Sequence, residues 1–310
     1  MRSMRHEAMF YAGDEGFVSG TLPFVAAGLA SGEPVLVAVP EPNGALLRSA
    51  LGADARLVRF RDMTRAGRNP GRIIPWVLRA FVDEHAGQPV RIIGEPIWAE
   101  RSVIEYPACV QHEALINLAL ADTSLTILCP YDATRLEPHV LRDAERTHPA
   151  LAAAGLEMAG QPWRSTGYTA PEIVVAEYNQ PLDEPAGPID VLPFDIGDLS
   201  TVRDFVADHG RRAGLLADRI ADLQLAVNEL ATNSIKHADG FGTVRMWQDD
   251  GHLVCEVDDN GVISDPLVGR VSPATDSDRG RGLLLVNFLC DLVRIHTGSQ
   301  GTAVRVYLMR

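Results

Sequence analysis

The first half of the chain alternates short apolar runs with amphipathic segments, and this alternation constrains the fold more than any other feature. Strands are predicted where Val, Ile, Leu and Phe cluster between Gly, Pro or Asp, at residues 7–12, 34–40, 56–61, 90–94 and 124–130. Helices are predicted where apolar residues recur every three or four positions, at residues 17–30, 72–85, 109–121 and 136–147. Strands that alternate with helices form parallel sheets covered by helices. We therefore predict an α/β fold for this half.

The amino-acid composition changes between residues 161 and 193, where six prolines occur within one short stretch. Proline at this density interrupts helices, so the segment is predicted to be a connector that contains one strand-like run, residues 172–178. We predict a first domain over residues 1–180, a linker over residues 181–190 and a second domain over residues 191–310.

The second domain has another order of elements: strand, helix, long helix, hairpin, loop, helix, hairpin. The long helix is predicted over residues 218–237. One hairpin joins residues 243–248 to 253–258 through Asp249-Asp250-Gly251, and the other joins residues 292–297 to 303–309 through a turn that contains two glycines. This pattern predicts a mixed, largely antiparallel sheet with helices on one face.

Charge and composition exclude several classes of protein. The net charge is −13, from 28 basic and 41 acidic residues, which argues against direct nucleic-acid binding because phosphates need clustered cations. No run of 18 uncharged apolar residues occurs, so no membrane span is expected. The four cysteines are far apart in the sequence, and most of them lie within apolar runs. This predicts buried free thiols and a cytoplasmic location.

Three polar side chains share one stripe of the long helix. At about 100° per residue, Glu229, Asn233 and Lys236 fall within roughly 60° of one another. A carboxylate, a carboxamide and an ammonium so arranged can bind a polyanion, because the amide oxygen suits Mg²⁺ and the carboxylate can orient or deprotonate a hydroxyl. A solvated helix face with no binding role is the alternative interpretation.

Two further motifs follow along the chain. Asp259 ends a predicted strand just before the Asn260-Gly261 turn, where a carboxylate can accept a hydrogen bond from an exocyclic amine, although Asx-Gly turns are common. Gly280, Arg281 and Gly282 then open an apolar helix that continues with Leu283. Glycines at a helix start let backbone N–H groups approach a phosphate, although loop glycines often have no such role.

The order and spacing of these motifs resemble the GHKL (Bergerat-fold) ATP-binding domain over about residues 189–310, and within that superfamily the anti-sigma-factor serine kinases and their actinobacterial relatives. The resemblance implies that ATP and Mg²⁺ bind here, with Glu229 as general base or water-orienting residue and Asn233 as Mg²⁺ ligand. Asp259 would bind the adenine amino group. The other implied nucleotide-binding residues are Lys236, Gly261, Gly280, Arg281, Gly282, Leu283 and Thr302. Residues 264–278 would form the ATP lid, and Ile263 stands where the family often has a second glycine, which implies weaker nucleotide binding.

The first domain lacks the residue that a phosphate-binding loop requires. Gly13-Asp14-Glu15-Gly16 follows the first predicted strand, but the only lysine of the chain is Lys236, so no Walker-type lysine exists in this domain. The domain resembles the MEDS-type sensory domain, a RecA-like α/β module without the phosphate loop. That resemblance is carried by His6 with Tyr11, Gly94-Glu95, His112-Glu113 with Asn117, and Cys129-Pro130-Tyr131-Asp132.

A ligand or a redox signal is expected to be sensed at the carboxyl ends of the strands, where open α/β sheets bind ligands. The candidate sensing residues are His6, Tyr11, Glu95, Cys129 and Tyr131. Packing and capping roles are the alternative for each of them. The remaining histidines, among them His139, His148, His209 and His296, show no metal-ligand spacing, so Mg²⁺ at Asn233 is the only metal that we expect.

Together the two resemblances imply a regulator in which a sensory domain controls an ATPase domain. Its partners would be a sigma factor, an anti-anti-sigma protein of the STAS type that it phosphorylates on serine, or both, and a homodimer is one expected form. Two alternatives stay open. One is a nucleotide-gated protein that sequesters its partner without phosphoryl transfer, and the other is a histidine-kinase-like signalling protein with His112 as phosphoacceptor.

Overall fold

Each half of the sequence builds its own sheet. The computed structural model describes residues 4–152, 162–249, 251–272 and 280–310. The chain divides into two units between Tyr178 and Asn179. Asp250 of the first predicted turn and residues 273–279 of the predicted lid lie outside the described residues.

The N-terminal unit contains seven strands in its described part: β1 (Arg5–Tyr11), β2 (Val35–Val39), β3 (Val58–Asp62), β4 (Val90–Gly94), β5 (Leu125–Asp132), β6 (Ala150–Ala152) and β7 (Trp163–Arg164). Their order in the sheet is β3-β2-β4-β5-β1-β6-β7. The pairs from β3 to β6 are parallel, and β7 adds an antiparallel edge. The predicted α/β class with a parallel sheet is therefore confirmed for this unit.

The helices of this unit lie between the strands, as the alternation predicts. They are α1 (Gly13–Ala30), α2 (Glu41–Leu51), α3 (Met63–Ala66), α4 (Ala80–Glu84), α5 (Tyr106–Ala119), α6 (Pro138–Thr147) and α7 (Pro171–Glu177). A π-helical segment, Ile74–Arg79, leads directly into α4.

Successive side chains of the strands point to opposite faces of this sheet. Met9 and Tyr11 of β1 pack with Val37 of β2 and with the side of α1 that carries Phe17. Residues of the other parity on β1, among them His6, therefore face the opposite side. This division decides which of the predicted sensing residues can meet.

The strand predicted at residues 172–178 is wrong, because these residues form α7. The run contains the β-branched residues Ile173, Val174 and Val175, which favour strands. Pro171 at the first helical position is compatible with a helix start, and Val174 is fully buried. Gln111 of α5 donates a hydrogen bond to the carbonyl of Val175 at 3.3 Å, so tertiary packing outweighs the local preference.

The C-terminal unit contains β8 (Asp190–Asp195), α8 (Leu199–Arg212), α9 (Ala217–His237), β9 (Phe241–Asp249), β10 (His252–Asp259), α10 (Arg281–Leu289), β11 (Leu292–Gly298) and β12 (Gly301–Met309). The sheet order is β11-β12-β10-β9-β8, and every pairing among the described strands is antiparallel. The helices pack on one face of the sheet, as predicted.

The long helix α9 forms because its apolar residues follow the helical period. Leu223, Val227 and Leu230 are buried against the sheet residues Cys255 and Val257. Lys236 and His237 lie in its last turn, where positive charge complements the helix dipole. This packing holds α9 along the sheet and leaves its C-terminal half beside the end of β10.

Candidate functional site

A cavity of about 290 Å³ lies within the C-terminal unit, a volume near the lower end for small-molecule sites. Four segments form its walls: the last turns of α9, the end of β10 with the following loop, the start of α10, and the start of β12. The lining residues are Leu230, Asn233, Ser234, His237, Val257, Asp259, Gly261, Val262, Ile263, Ser264, Asp265, Val268, Gly280, Gly282, Leu283, Thr302 and Val304. Seven of the sequence-predicted site residues are therefore brought together here: Asn233, Asp259, Gly261, Gly280, Gly282, Leu283 and Thr302.

Asp259 lies at the end of β10 and is held at both carboxylate oxygens. Its Oδ2 accepts a 2.6 Å hydrogen bond from Ser234 Oγ, and its Oδ1 accepts a 2.8 Å hydrogen bond from the backbone N–H of Gly261. A carboxylate oxygen has two lone pairs, so each oxygen can accept one more hydrogen bond. The side chain is thus oriented and still able to receive an amino group of a ligand.

A short chain of hydroxyl groups closes one side of the cavity. Thr302 faces Asp259 across the β10–β12 ladder and donates a 2.8 Å hydrogen bond to the carbonyl of Gly261. Its hydroxyl is also 2.8 Å from Thr297 Oγ1, which accepts a hydrogen bond from the N–H of Ile263 at 2.9 Å. These contacts fix the loop after β10, including Ile263, which stands where the resembled family often has a glycine.

The start of α10 passes very close to α9. A Cβ at Gly282 would lie 2.9 Å from Glu229 Oε2 and 3.3 Å from Asn233 Nδ2. Only glycine allows this approach without displacing those side chains. Gly280 has φ of 88°, in the left-handed region that glycine favours, and it directly precedes α10. The two glycines therefore place the N–H groups of a helix start next to a carboxylate and a carboxamide.

Three of the predicted site residues are not among the described residues that line the cavity: Glu229, Lys236 and Arg281. Glu229 is nevertheless adjacent to it through Gly282, whereas Lys236 and Arg281 are exposed. Ser234, His237 and Val262 line the cavity and were missed from the sequence. Ser234 follows Asn233 directly, but nothing in the sequence shows that it faces Asp259.

Behind the cavity, on the other face of the sheet, lies a buried charge network. Glu256 is 1% exposed and accepts hydrogen bonds from Arg305 Nε at 2.6 Å and from Arg245 at 2.7 Å. Burial and the neighbouring Glu256 charge raise the pKa of Asp258 to about 7. Asp258 and Asp259 are thus adjacent carboxyl groups on opposite sheet faces with different surroundings.

In the N-terminal unit, the predicted sensing residues divide into two groups. Tyr11 and Glu95 meet Asn43 of α2: the Tyr11 hydroxyl donates to Glu95 at 3.2 Å, and Asn43 Nδ2 donates to Glu95 at 2.8 Å. Burial is the main reason that the pKa of Glu95 is raised to about 8. Burial also raises the pKa of Tyr11.

The second group lies on the opposite face of the same sheet. His6 and Cys129 are 3.4 Å apart (Nε2 to Sγ), and Glu113 Oε2 is 3.2 Å from His6 Nε2 and 3.4 Å from His148 Nε2. One ligand-type atom from each of these four residues lies within 4.8 Å of the others. Sequence spacing did not indicate that His148 joins this group, because tertiary structure and not chain proximity brings the four residues together.

Tyr131 is buried close to this group, with its ring 5.7 Å from the His148 ring. His6 lies near the start of β1 and not at its carboxyl end, so the predicted position at the strand ends does not hold for it. All four cysteines are buried and none of them is in a disulfide among the described residues, as predicted. His112 is 1% exposed, which disfavours a phosphoacceptor role because a phosphoacceptor must be reached by another active site.

The folds define a two-part protein, with a largely parallel α/β module followed by a module whose antiparallel sheet is covered by helices. Residues 5–149 match the family model of the MEDS domain, described as the methanogen/methylotroph, DcmR sensory domain. Residues 192–308 match the family model of the histidine kinase-like ATPase domain. The chain therefore carries an N-terminal MEDS domain and a C-terminal histidine kinase-like ATPase domain.

Among curated proteins, the chain is similar to the serine-protein kinase RsbW of Listeria monocytogenes and of Listeria innocua. Identity is 34% over 99 residues in each case, covering 27% of this chain and 63% of the relative. The chain thus spans a little under two thirds of the length of these relatives.

Two solved structures are also similar. The RsbU and RsbW domains of Rv1364c from Mycobacterium tuberculosis match at 22% identity, with 40% of this chain and 32% of that chain covered and a TM-score of 0.31. The Acinetobacter baumannii histidine kinase AdeS matches at 10% identity, with 39% of this chain and 67% of that chain covered and a TM-score of 0.24.

Within the described residues, no helix combines the length and the apolar character that crossing a membrane requires.

Proposed function

We propose that the C-terminal unit binds ATP with Mg²⁺ and transfers a phosphoryl group to a serine of a partner of the anti-anti-sigma (STAS) type. The observation that carries this proposal is the convergence of Asp259, Asn233 and Gly282 on one cavity. Asp259 would accept a hydrogen bond from the adenine amino group, and the contacts by which Ser234 and the Gly261 N–H orient its carboxylate support this role. The similarity to the serine-protein kinase RsbW supports the choice of serine as acceptor.

The residues present fit a magnesium nucleotide. The amide oxygen of Asn233 is a neutral oxygen ligand of the kind that Mg²⁺ accepts, and Mg²⁺ would neutralise charge on the phosphates. The close approach at Gly282, which a Cβ would obstruct, brings the start of α10 beside Glu229 and Asn233, and backbone N–H groups at a helix start are suited to binding phosphates. Arg281 is exposed at the same helix start and would add positive charge there.

In the transfer step, Glu229 would accept the proton of the serine hydroxyl as its oxygen forms a bond to the γ-phosphorus. The bond from that phosphorus to the β–γ bridging oxygen breaks, and ADP leaves. Phosphoryl transfer depends mainly on positioning and on charge stabilisation. One oriented carboxylate is therefore enough to accept the proton of the serine hydroxyl. Glu229 lies beside Asn233 and Gly282, where this role would require it.

We further propose that the MEDS domain controls this activity and that a sigma factor is a second partner. The MEDS family is described as sensory, and the RsbW relatives are named as serine-protein kinases. A cytoplasmic location and a homodimer are parts of the same proposal. The presence of both domains in one chain supports a regulator in which a signal-binding part and a nucleotide-binding part are covalently linked.

Calorimetric titration of the full chain with ATP and Mg²⁺ tests the nucleotide site. We expect binding by the unmodified protein and its loss in Asn233→Ala and Asp259→Ala. Asn228→Ala is the matched control, because Asn228 lies on the same helix and hydrogen-bonds Arg203 instead of facing the cavity. Equal binding by all four proteins would contradict the proposed site.

Phosphotransfer to a purified STAS-domain protein from the same genome, read as phosphoserine by mass spectrometry, tests the reaction. Glu229→Gln should keep nucleotide affinity and lose transfer. ATP binding with no phosphoserine on the partner would instead support the nucleotide-gated binding protein, in which nucleotide controls partner affinity alone.

A further inference from the structure

We propose that His6, Glu113, Cys129 and His148 bind one divalent transition-metal ion of the zinc class within the N-terminal unit. The four side chains come from four elements: β1, α5, β5 and the residue that follows α6. All of them are at most 2% exposed. This site is separate from the proposed nucleotide site and does not depend on it.

The distances match tetrahedral coordination. Zinc bonds of about 2.0–2.1 Å to nitrogen or oxygen and about 2.3 Å to sulfur separate neighbouring ligand atoms by roughly 3.3–3.6 Å. His6 Nε2 is 3.2 Å from Glu113 Oε2 and 3.4 Å from Cys129 Sγ. Glu113 Oε2 is 3.4 Å from His148 Nε2 and 3.8 Å from Cys129 Sγ. One ion at the centre would reach all four atoms with small side-chain adjustments.

Hydrogen bonds outside the cluster determine which nitrogen of each histidine carries its proton. His148 Nδ1 lies 2.7 Å from the carbonyl oxygen of Ala144, an acceptor, so Nδ1 is the donor. His6 Nδ1 lies 3.1 Å from Asn117 Oδ1. The Asn117 amide is oriented by its own Nδ2, which donates to the carbonyl of Thr147 at 2.8 Å, so Oδ1 is the acceptor for His6.

A neutral imidazole with its proton on Nδ1 presents a lone pair at Nε2. When both rings are neutral, both Nε2 atoms point lone pairs towards the carboxylate of Glu113, which is itself an acceptor. The only proton left to share among these neutral rings and the carboxylate is that of the Cys129 thiol. His148 Nε2 and Glu113 Oε1 have no hydrogen-bond partner among the described residues. Buried acceptors without donors are costly, and a cation is the species that satisfies several of them at once.

Histidines that ligate metals generally donate their second ring N–H to a carbonyl or carboxylate, and this is the arrangement of both rings here. The charges also agree with a divalent ion. On binding, the Cys129 thiol releases its proton to solvent, and the thiolate and the Glu113 carboxylate together balance a charge of +2. The occupied site would be neutral, as a fully buried position favours. Imidazole and thiolate ligands select zinc-like metals over Mg²⁺ and Ca²⁺.

Cobalt(II) binding to the full chain, after chelator treatment, under reducing conditions and without nucleotide, tests this proposal. Co²⁺ serves as the spectroscopic probe for Zn²⁺. We expect one Co²⁺ per chain, the strong visible absorption of tetrahedral cobalt, a thiolate-to-cobalt charge-transfer band, and displacement of Co²⁺ by added Zn²⁺. A folded wild-type protein that binds no Co²⁺, or binds it without the charge-transfer band, overturns the proposal.

Variants identify the ligands. Cys129→Ser should abolish the charge-transfer band, and His148→Gln should weaken Co²⁺ affinity at least tenfold. Cys109→Ser is the matched control, since Cys109 is an equally buried thiol on α5 that is not in the cluster, and it should leave the spectrum unchanged. A spectrum unchanged in Cys129→Ser would overturn the assignment. Circular dichroism checks that each variant is folded, and the wild-type measurement decides the proposal without any variant.

Discussion

Ser234 Oγ donates a 2.6 Å hydrogen bond to Asp259 Oδ2, and this contact joins the long helix α9 to the end of β10. Ser234 is buried on α9 one residue after Asn233. Asp259 also accepts from the Gly261 N–H, so helix, strand and loop all converge on one carboxylate. The rotamer of Asp259 is thereby fixed before any ligand arrives.

Replacing Ser234 by alanine should weaken ATP binding. Hydrogen bonds to charged groups contribute about 1.5–3 kcal/mol, and Asp259 keeps its second contact, so we expect about a tenfold loss of affinity. Calorimetry with ATP and Mg²⁺ measures the change. Ser200→Ala, at an exposed position of α8, is the control and should bind as the wild type does. Unchanged affinity in Ser234→Ala would show that the contact does not orient Asp259.

A methyl group at Gly282 should disrupt the approach of α10 to α9. The new Cβ would lie 2.9 Å from Glu229 Oε2, so the carboxylate must move. We expect Gly282→Ala to lower both nucleotide affinity and phosphoserine formation at least tenfold while the protein stays folded. Gly187→Ala is a matched control because a Cβ there meets no atom within 4 Å. Normal phosphotransfer by Gly282→Ala would refute the importance of this approach.

Neutralising Glu256 should destabilise the C-terminal unit. Its carboxylate is buried between Arg245 and Arg305, and removing one partner of a buried ion pair costs about 3–5 kcal/mol. We expect urea denaturation of Glu256→Gln to show a lower midpoint. Glu184→Gln is the matched control, because Glu184 pairs with the same Arg245 from an exposed position and should change little. Equal effects of the two changes would contradict this assignment.

The stability of the N-terminal unit should depend on the protonation of Glu95. Because burial raises the pKa of Glu95 to about 8, the folded protein holds this proton at pH values where the unfolded chain, with a pKa near 4.5, has released it. The unfolded state then binds fewer protons, so stability falls as the pH rises from about 5 to about 8. At about 1.4 kcal/mol per pKa unit, the loss is at most about 5 kcal/mol.

Denaturation at several pH values, with fluorescence as the readout, measures this dependence. Glu95→Gln cannot ionise, so its stability should fall less over the same interval. Asn43 donates to Glu95 Oε2 and favours the charged form, so Asn43→Ala should strengthen the pH dependence of the otherwise unmodified protein. Parallel curves for wild type and Glu95→Gln would show that Glu95 ionises without penalty.

The alternation of the first half and the hairpins of the second were predictable, because hydrophobic periodicity reports which side of an element is buried. The helical period of Leu223, Val227 and Leu230 placed α9 nearly to the residue. The strand prediction for residues 172–178 failed because three β-branched residues outweighed Pro171 in the local pattern. The packing of Val174 instead favoured a helix. Ser234 was missed because its role depends on a partner from another element.

By itself the sequence determined the two sheet types, the polar stripe of α9 and the glycines before α10, since each depends on local periodicity or on backbone freedom at one position. Only the tertiary structure decided that Ser234 meets Asp259 and that His6, Glu113, Cys129 and His148 meet one another. The parity of residues along β1 and β5 separates His6 and Cys129 from Tyr11, and the end of α6 places His148, the next residue, beside them. Contacts between residues far apart in the chain depend on strand register and helix packing, which no local pattern encodes.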